Sequence, residues 1–217
     1  MTGGGVPAPF VYWSEWEEGM KMKRVAKLLA GTCGAALALA AASAAGAQAA
    51  PKFTTSSTGE LTGTQTSSQV LTISAGASEN VTCKKAMMSG ESESTEYTAQ
   101  KFAVEYSECT ANTAFGAIGA TVSKAEYELA ASGVTKVLNT ITFHVGGIAN
   151  CNITVGPQTP TGSVSYTNRS GKLEVTSALT GIVSTSTGLC PHGSTGTYTG
   201  SDLVERVGGG TIAWDPI

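Results

Sequence analysis

Val137, Asn139, Ile141, Phe143 and Val145 occupy every second position of one short stretch that ends at Gly146-Gly147. Side chains two residues apart share one face of a strand, whereas a helix face recurs every three or four residues. This spacing therefore commits the segment to a half-buried β-strand. Phe102, Val104 and Tyr106 repeat the pattern within residues 95–109. Residues 122–129 hold helix-favouring Ala, Glu and Leu. Yet Ala125, Tyr127 and Leu129 alternate with Glu126 and Glu128, and the segment is read as a strand. Further strands are predicted at 70–73, 80–88, 152–155, 164–167, 173–177, 182–185, 197–199 and 203–207. Asn168-Arg169-Ser170-Gly171 is read as a hairpin turn. Many short strands without a long helical pattern predict an all-β fold, a mainly antiparallel β-sandwich or partly closed barrel.

The first fifty of the 217 residues do not share this pattern. Met20-Lys21-Met22-Lys23-Arg24 is a basic opening, followed by an alanine-rich apolar run over 28–42 and small residues over 43–50. Ala47-Gln48-Ala49 fits a signal-peptidase pattern with cleavage at Ala49 or Ala50, so residues 20–49 are read as a secretory signal and 50–217 as one exported β domain. The run is short for a membrane span and no stop-transfer pattern follows, which predicts export without a membrane anchor. Residues 1–19, with three glutamates and two tryptophans, are read as a disordered extension upstream of the true start. Cys33 is expected to leave with the signal.

Of 13 basic residues four lie before Ala50, and of 16 acidic residues three do, so the exported part carries a net charge of −4. No basic stripe marks a nucleic-acid binder. Serine and threonine supply 48 of the last 167 residues, a composition that suits strands with neutral polar outer faces. Cys83, Cys109, Cys151 and Cys190 remain, and an even count in an exported chain reads as two disulfides. Three pairings are possible. The sequential one, Cys83–Cys109 and Cys151–Cys190, is favoured because each bridge would close a local β unit.

Candidate chemistry centres on Cys190-Pro191-His192-Gly193-Ser194. A cysteine two residues from a histidine on an extended chain could act as nucleophile and base, the arrangement of an extracellular hydrolase. The competing reading is a stapled turn, with Cys190 in a disulfide and Pro191 and Gly193 reversing the chain. Ser194, His192 and Asp202 can be written as a serine triad, but no G-x-S-x-G elbow occurs, and His144 is the other histidine. Metal motifs are absent from the sequence, although Glu91-Ser92-Glu93-Ser94-Thr95-Glu96 gathers three carboxylates. Asn80, Asn152 and Asn168 open glycosylation sequons. In an alanine-rich, bacterial-type exported chain they carry no such reading. No catalytic residue, cofactor or metal ligand is assigned.

Several short motifs carry a resemblance. They are Val81-Thr82-Cys83-Lys84-Lys85-Ala86, Glu105-Tyr106-Ser107-Glu108-Cys109-Thr110, Cys151-Asn152-Ile153-Thr154-Val155-Gly156-Pro157-Gln158 and the closing Gly196-Thr197-Tyr198-Thr199-Gly200. In these the chain is similar to a group of uncharacterised secreted, cysteine-stapled β proteins from high-GC actinobacteria. The resemblance implies an all-β secreted domain and transfers no functional residues. Such relatives often carry a further cysteine pair, one member in a Gly-Cys-x-Tyr run. Here the matching stretch is Lys124-Ala125-Glu126-Tyr127, and the later strand around Phe143 also lacks a cysteine. That implies one lost bridge, with Cys83–Cys109 and Cys151–Cys190 kept. The expected function is a non-catalytic structural or binding role at the cell envelope or in the medium, with cell wall or polysaccharide as the partners to test. Ligand contact is expected at loops on one end of the fold, with Tyr198 and the Glu91–Glu96 loop as candidates. A carbohydrate-binding module is the other alternative, although only Trp214 among the tryptophans follows the signal.

Overall fold

A computed structural model of the chain describes residues 49–217, apart from 76, 115 and 191–193. The extension at 1–19, Cys33 and the signal up to residue 48 lie outside the described residues. The strands are β1 (Lys52–Thr55), β2 (Gly59–Ala75), β3 (Ala77–Ser92), β4 (Glu96–Tyr97), β5 (Ala99–Thr113), β6 (Gly116–Val122) and β7 (Ala125–Ala130). They continue as β8 (Thr135–Val137), β9 (Ile141–Val145), β10 (Cys151–Val155), β11 (Thr161–Arg169), β12 (Lys172–Ser186), β13 (Ser194–Arg206) and β14 (Ile212–Asp215).

Eight of these form a ring. β2 pairs with β3 and β13, β13 with β12, β12 with β10, β10 with β9, β9 with β6, β6 with β5, and β5 returns to β3. Every pairing is antiparallel, so the sheet closes on itself as a barrel, a size whose interior side chains can fill. The wall divides along its length. The first half of β5 pairs with β7, which carries β8, and the first half of β12 pairs with β11. A few bonds join these two flaps, among them Val164 N–H to the Gly133 carbonyl at 3.0 Å and the Tyr166 hydroxyl to the Ala130 carbonyl at 2.7 Å.

The alternation read from the sequence sets which face is inside. Ile141, Phe143 and Val145 of β9 and Ile153 and Val155 of β10 are buried, as are Leu71 and Ile73 of β2, while Thr142, His144 and Asn152 face outward. Leu61, Val145 and Val204 are wholly excluded from water. Burial of such side chains contributes about 1.5–3 kcal/mol each. A second, three-stranded sheet of β14, β1 and β4 lies against the divided part of the wall. Its Phe53 meets Tyr166 edge-on at 4.9 Å, and its Ile212 is buried beside Leu173 and Val175. Trp214 donates its indole N–H to the Ala131 carbonyl at 2.9 Å, and Asn168 bonds both backbone groups of Trp214.

Both disulfides join sequential cysteines. Cys83 and Cys109 stand directly opposite on β3 and β5, with Cα atoms 4.0 Å apart, and Cys151 and Cys190 are bonded with Cα atoms 5.7 Å apart. The predicted hairpin closes on Ser170 and Gly171, with φ of 49° and 83° between the paired Arg169 and Lys172, as a two-residue type I′ turn requires.

Some predicted elements are divided or merged. Residues 137–145 form two strands, because the Asn139 side chain accepts from Glu126 N–H and donates to the Lys124 carbonyl. A side-chain amide there does the work of a strand partner. The separate strands at 173–177 and 182–185 are one, β12, with a register shift between Leu179 and Ile182 where Gly181 takes φ of 68°. β13 likewise joins 197–199 to 203–206.

Candidate functional site

Two places gather the residues on which chemistry could rest: the stapled end of the barrel and its interior. At the stapled end, Cys151 opens β10 and Cys190 sits in the β12–β13 connection. Gly188, at φ of 72°, lies against the β9–β10 turn, where a Cβ would stand 2.7 Å from the Asn150 carbonyl oxygen. The two loops are thus held by a covalent bond and by a backbone approach that glycine permits.

The sulfur of Cys190 is bonded to Cys151, so the proposed thiol nucleophile has no free thiol here. His192 lies outside the described residues. Ser194 begins β13 and Asp202 lies eight residues along it, about 26 Å at strand spacing, so these two members of the written triad are not brought together. His144 is exposed, with Nδ1 2.9 Å from Asn152 Oδ1. Asp215 accepts from the Ile217 N–H.

What this end does present is apolar. Ile148 in the β9–β10 turn is 74 % exposed, Leu189 beside Cys190 is 63 % exposed, and Val183 on the outer face of β12 is 60 % exposed. No Lys, Arg, Asp or Glu occurs from Val137 through Asn168, a stretch bordered by Lys136 and Arg169, nor from Val175 through Ser201. On the outer wall Thr142, Thr154 and Thr185 stand in register across β9, β10 and β12. Sequence reasoning did not single out Ile148 or Leu189. The signal was a large aliphatic residue stranded in each of two glycine-containing loops that lack charge.

The interior holds a polar chain. Tyr127 and Tyr106 have hydroxyls 3.0 Å apart, and Tyr106 and Tyr198 hydroxyls are 3.1 Å apart. Tyr198 donates to Gln69 Oε1 at 2.6 Å, and Gln69 Nε2 donates to both carboxylate oxygens of Asp202 at 3.0 Å. The residues come from β2, β5, β7 and β13, and the three tyrosines and Asp202 face a void of about 30 Å³ also bordered by Thr135 and Ser177. Burial pushes all three tyrosines well above their ordinary range, and their mutual repulsion when ionised adds to it. Burial likewise raises Asp202 from 3.8 to about 6, opposed by the Gln69 hydrogen bond.

Tyr198, expected at a ligand-binding loop, is instead an inward residue of the barrel wall. Its neighbours Gly196, Gly200 and Asp202 on β13 are also inward, so strand alternation carries it inside. The three carboxylates of the Glu91–Glu96 loop do not converge. Glu96 pairs with Lys52 at 3.0 Å, while Glu91 and Glu93 border a groove with Tyr97 and Glu128. Among the described residues no three His, Cys, Asp or Glu side chains come together as a metal-ligand set. The sequon asparagines have structural partners: Asn80 accepts from Asn112, Asn152 meets His144, and Asn168 holds Trp214. Trp214 is half-buried against Tyr166 at 5.8 Å and forms no exposed platform. Compared with known proteins, the chain matches no family model, no curated protein and no solved structure.

Proposed function

We propose that this is a secreted, non-catalytic β protein with a binding role at the cell envelope or in the medium, of the same kind as the actinobacterial proteins it resembles. The observation that carries the reading is the charge-free stapled end, with Ile148, Val183 and Leu189 exposed on a wall of threonines. Interface centres are depleted in charge and rich in apolar contact, and an exposed apolar patch on a rigid scaffold is a place where partners bind. Neutral hydroxyl rows suit an uncharged partner such as wall polysaccharide. The disulfide at Cys190 supports binding over thiol chemistry, because it removes the nucleophile that the hydrolase reading needs.

The test is retention of the oxidised, exported protein on purified cell walls and on neutral polysaccharide resins. Retention is expected for the native protein and at least a tenfold loss for Ile148→Glu with Leu189→Glu. Passage of the native protein through every resin would leave a structural role in place of a binding one. Rapid alkylation of Cys190 in the native protein would revive the hydrolase, with His192→Ala the next variant to assay.

A further inference from the structure

Asp202 is a carboxylate inside a closed barrel, and the groups around it are neutral. From its own strand Tyr198 faces the same void. Tyr106 does so from β5, Tyr127 from β7, Thr135 from β8 and Ser177 from β12. From β2 its partner is Gln69. No Lys, Arg or His borders the void among the described residues. An ionised carboxylate buried without a cation is costly, and it responds by holding its proton.

The surroundings are built for one particular contact. Gln69 spends both bonding ends of its amide, Nε2 on Asp202 and Oε1 on Tyr198. It reaches them by passing over Gly200, where a Cβ would stand 1.7 Å from Gln69 Oε1. The β2–β13 ladder is irregular at the same point, with register shifts between Thr199 and Ser201 and between Ser201 and Asp202. The β2–β3 ladder shifts between Thr64 and Gln69. The void beside them, about 30 Å³, is the space of roughly one water and far below the 150 Å³ or so of a cavity that takes benzene. Thr135 Oγ1, which borders it, has no protein hydrogen-bond partner. The interior is therefore not a pocket for an organic ligand, and its variable is charge.

We propose that Asp202, held by Gln69 across the irregular β2–β13 seam, is a protonation latch: uncharged, it lets the ring close tightly, and charged, it loosens that seam. The sign follows from linkage. Burial lifts the carboxyl from 3.8 to about 6, so between these values the folded chain binds more protons than the unfolded one. Closure of the seam therefore weakens as pH rises from about 4 to about 6, and stays weaker above that window. The interval corresponds to a change of up to about a hundredfold in the opening equilibrium.

The experiment is performed on the oxidised, exported protein. The Asp202 carboxyl is titrated by carbon NMR, and amide exchange is measured at pH 4 and pH 7.5, corrected for intrinsic rates. The expected result is an Asp202 midpoint near 6, with protection of the β2–β13 amides falling by ten- to a hundredfold at the higher pH. Protection of the β9–β10 amides is expected to hold, and Asp202→Asn to abolish the pH dependence at the seam. An Asp202 midpoint below about 4.5 overturns the proposal, as does seam protection equal at the two pH values. Should Asp202→Asn fail to fold, the native titration and exchange decide the matter alone.

Discussion

Gly200 shows how a residue without a side chain can hold a polar one in place. Its φ is not in the left-handed region, so the requirement is space: any Cβ there collides with the Gln69 amide. Gly200→Ala is expected to lower stability by about 2–3 kcal/mol, from overpacking together with displacement of the group that bonds Asp202. Gly156→Ala, where a Cβ meets nothing within 4 Å, is expected to change it by less than about 0.5 kcal/mol. Denaturant midpoints for the two variants check the pair. Tyr106 bridges two other hydroxyls, and Tyr106→Phe leaves both without that partner. A loss of about 1–2 kcal/mol is expected by the same measurement. None of these roles was legible in the sequence, where Gly200 stood only as the end of a short motif and Tyr198 as a ligand contact. A contact between residues 133 apart in the chain leaves no local pattern.

At the scale of elements, the sequence was most informative where one face is buried and the other wet. β9 was readable from period-two alternation for that reason, and the hairpin turn from Asn168-Arg169-Ser170-Gly171, which closes on two positive φ values. β6 was missed because its half-buried Ile118, Ala120 and Val122 alternate with Gly119 and Thr121, residues too small to mark out a polar face in the sequence. β1 and β14 were missed because four residues are too few to show a period. The two bridges were legible from the even cysteine count and from chain order. They differ in what they tie. Cys83–Cys109 joins strands already paired along their length, and Cys151–Cys190 joins a turn to a loop. On the loop-entropy model, spans of 26 and 39 residues correspond to about 3.5 and 4 kcal/mol. Replacing both cysteines of either pair by alanine is expected to cost about 2–4 kcal/mol in denaturant unfolding. Only loss of Cys151–Cys190 is expected to open the 186–194 loop to proteolysis, which limited digestion and mass mapping would register.

At the scale of the whole molecule, closure makes complete unfolding of the barrel cooperative, since no strand of the ring can leave without unpairing two neighbours. Loosening of the β2–β13 seam alone is a local opening within the folded state. The three-stranded sheet adds its own core residues, Phe53 and Ile212, to the same buried cluster. Trp214, the tryptophan of that sheet, is therefore expected to report the same unfolding midpoint by fluorescence as the barrel does by far-ultraviolet circular dichroism. Separated midpoints would mean that the small sheet peels away first. The ring has a further consequence that concerns time. The strand that joins β2 to β12 is β13, which begins only at Ser194. A polypeptide emerging from a ribosome or a pore with its N-terminus first has to wait, with β2 made and its partner more than a hundred residues behind. Until that partner arrives the wall has a gap flanked by two unpaired edges, so the nascent chain stays open and transportable through most of its own synthesis.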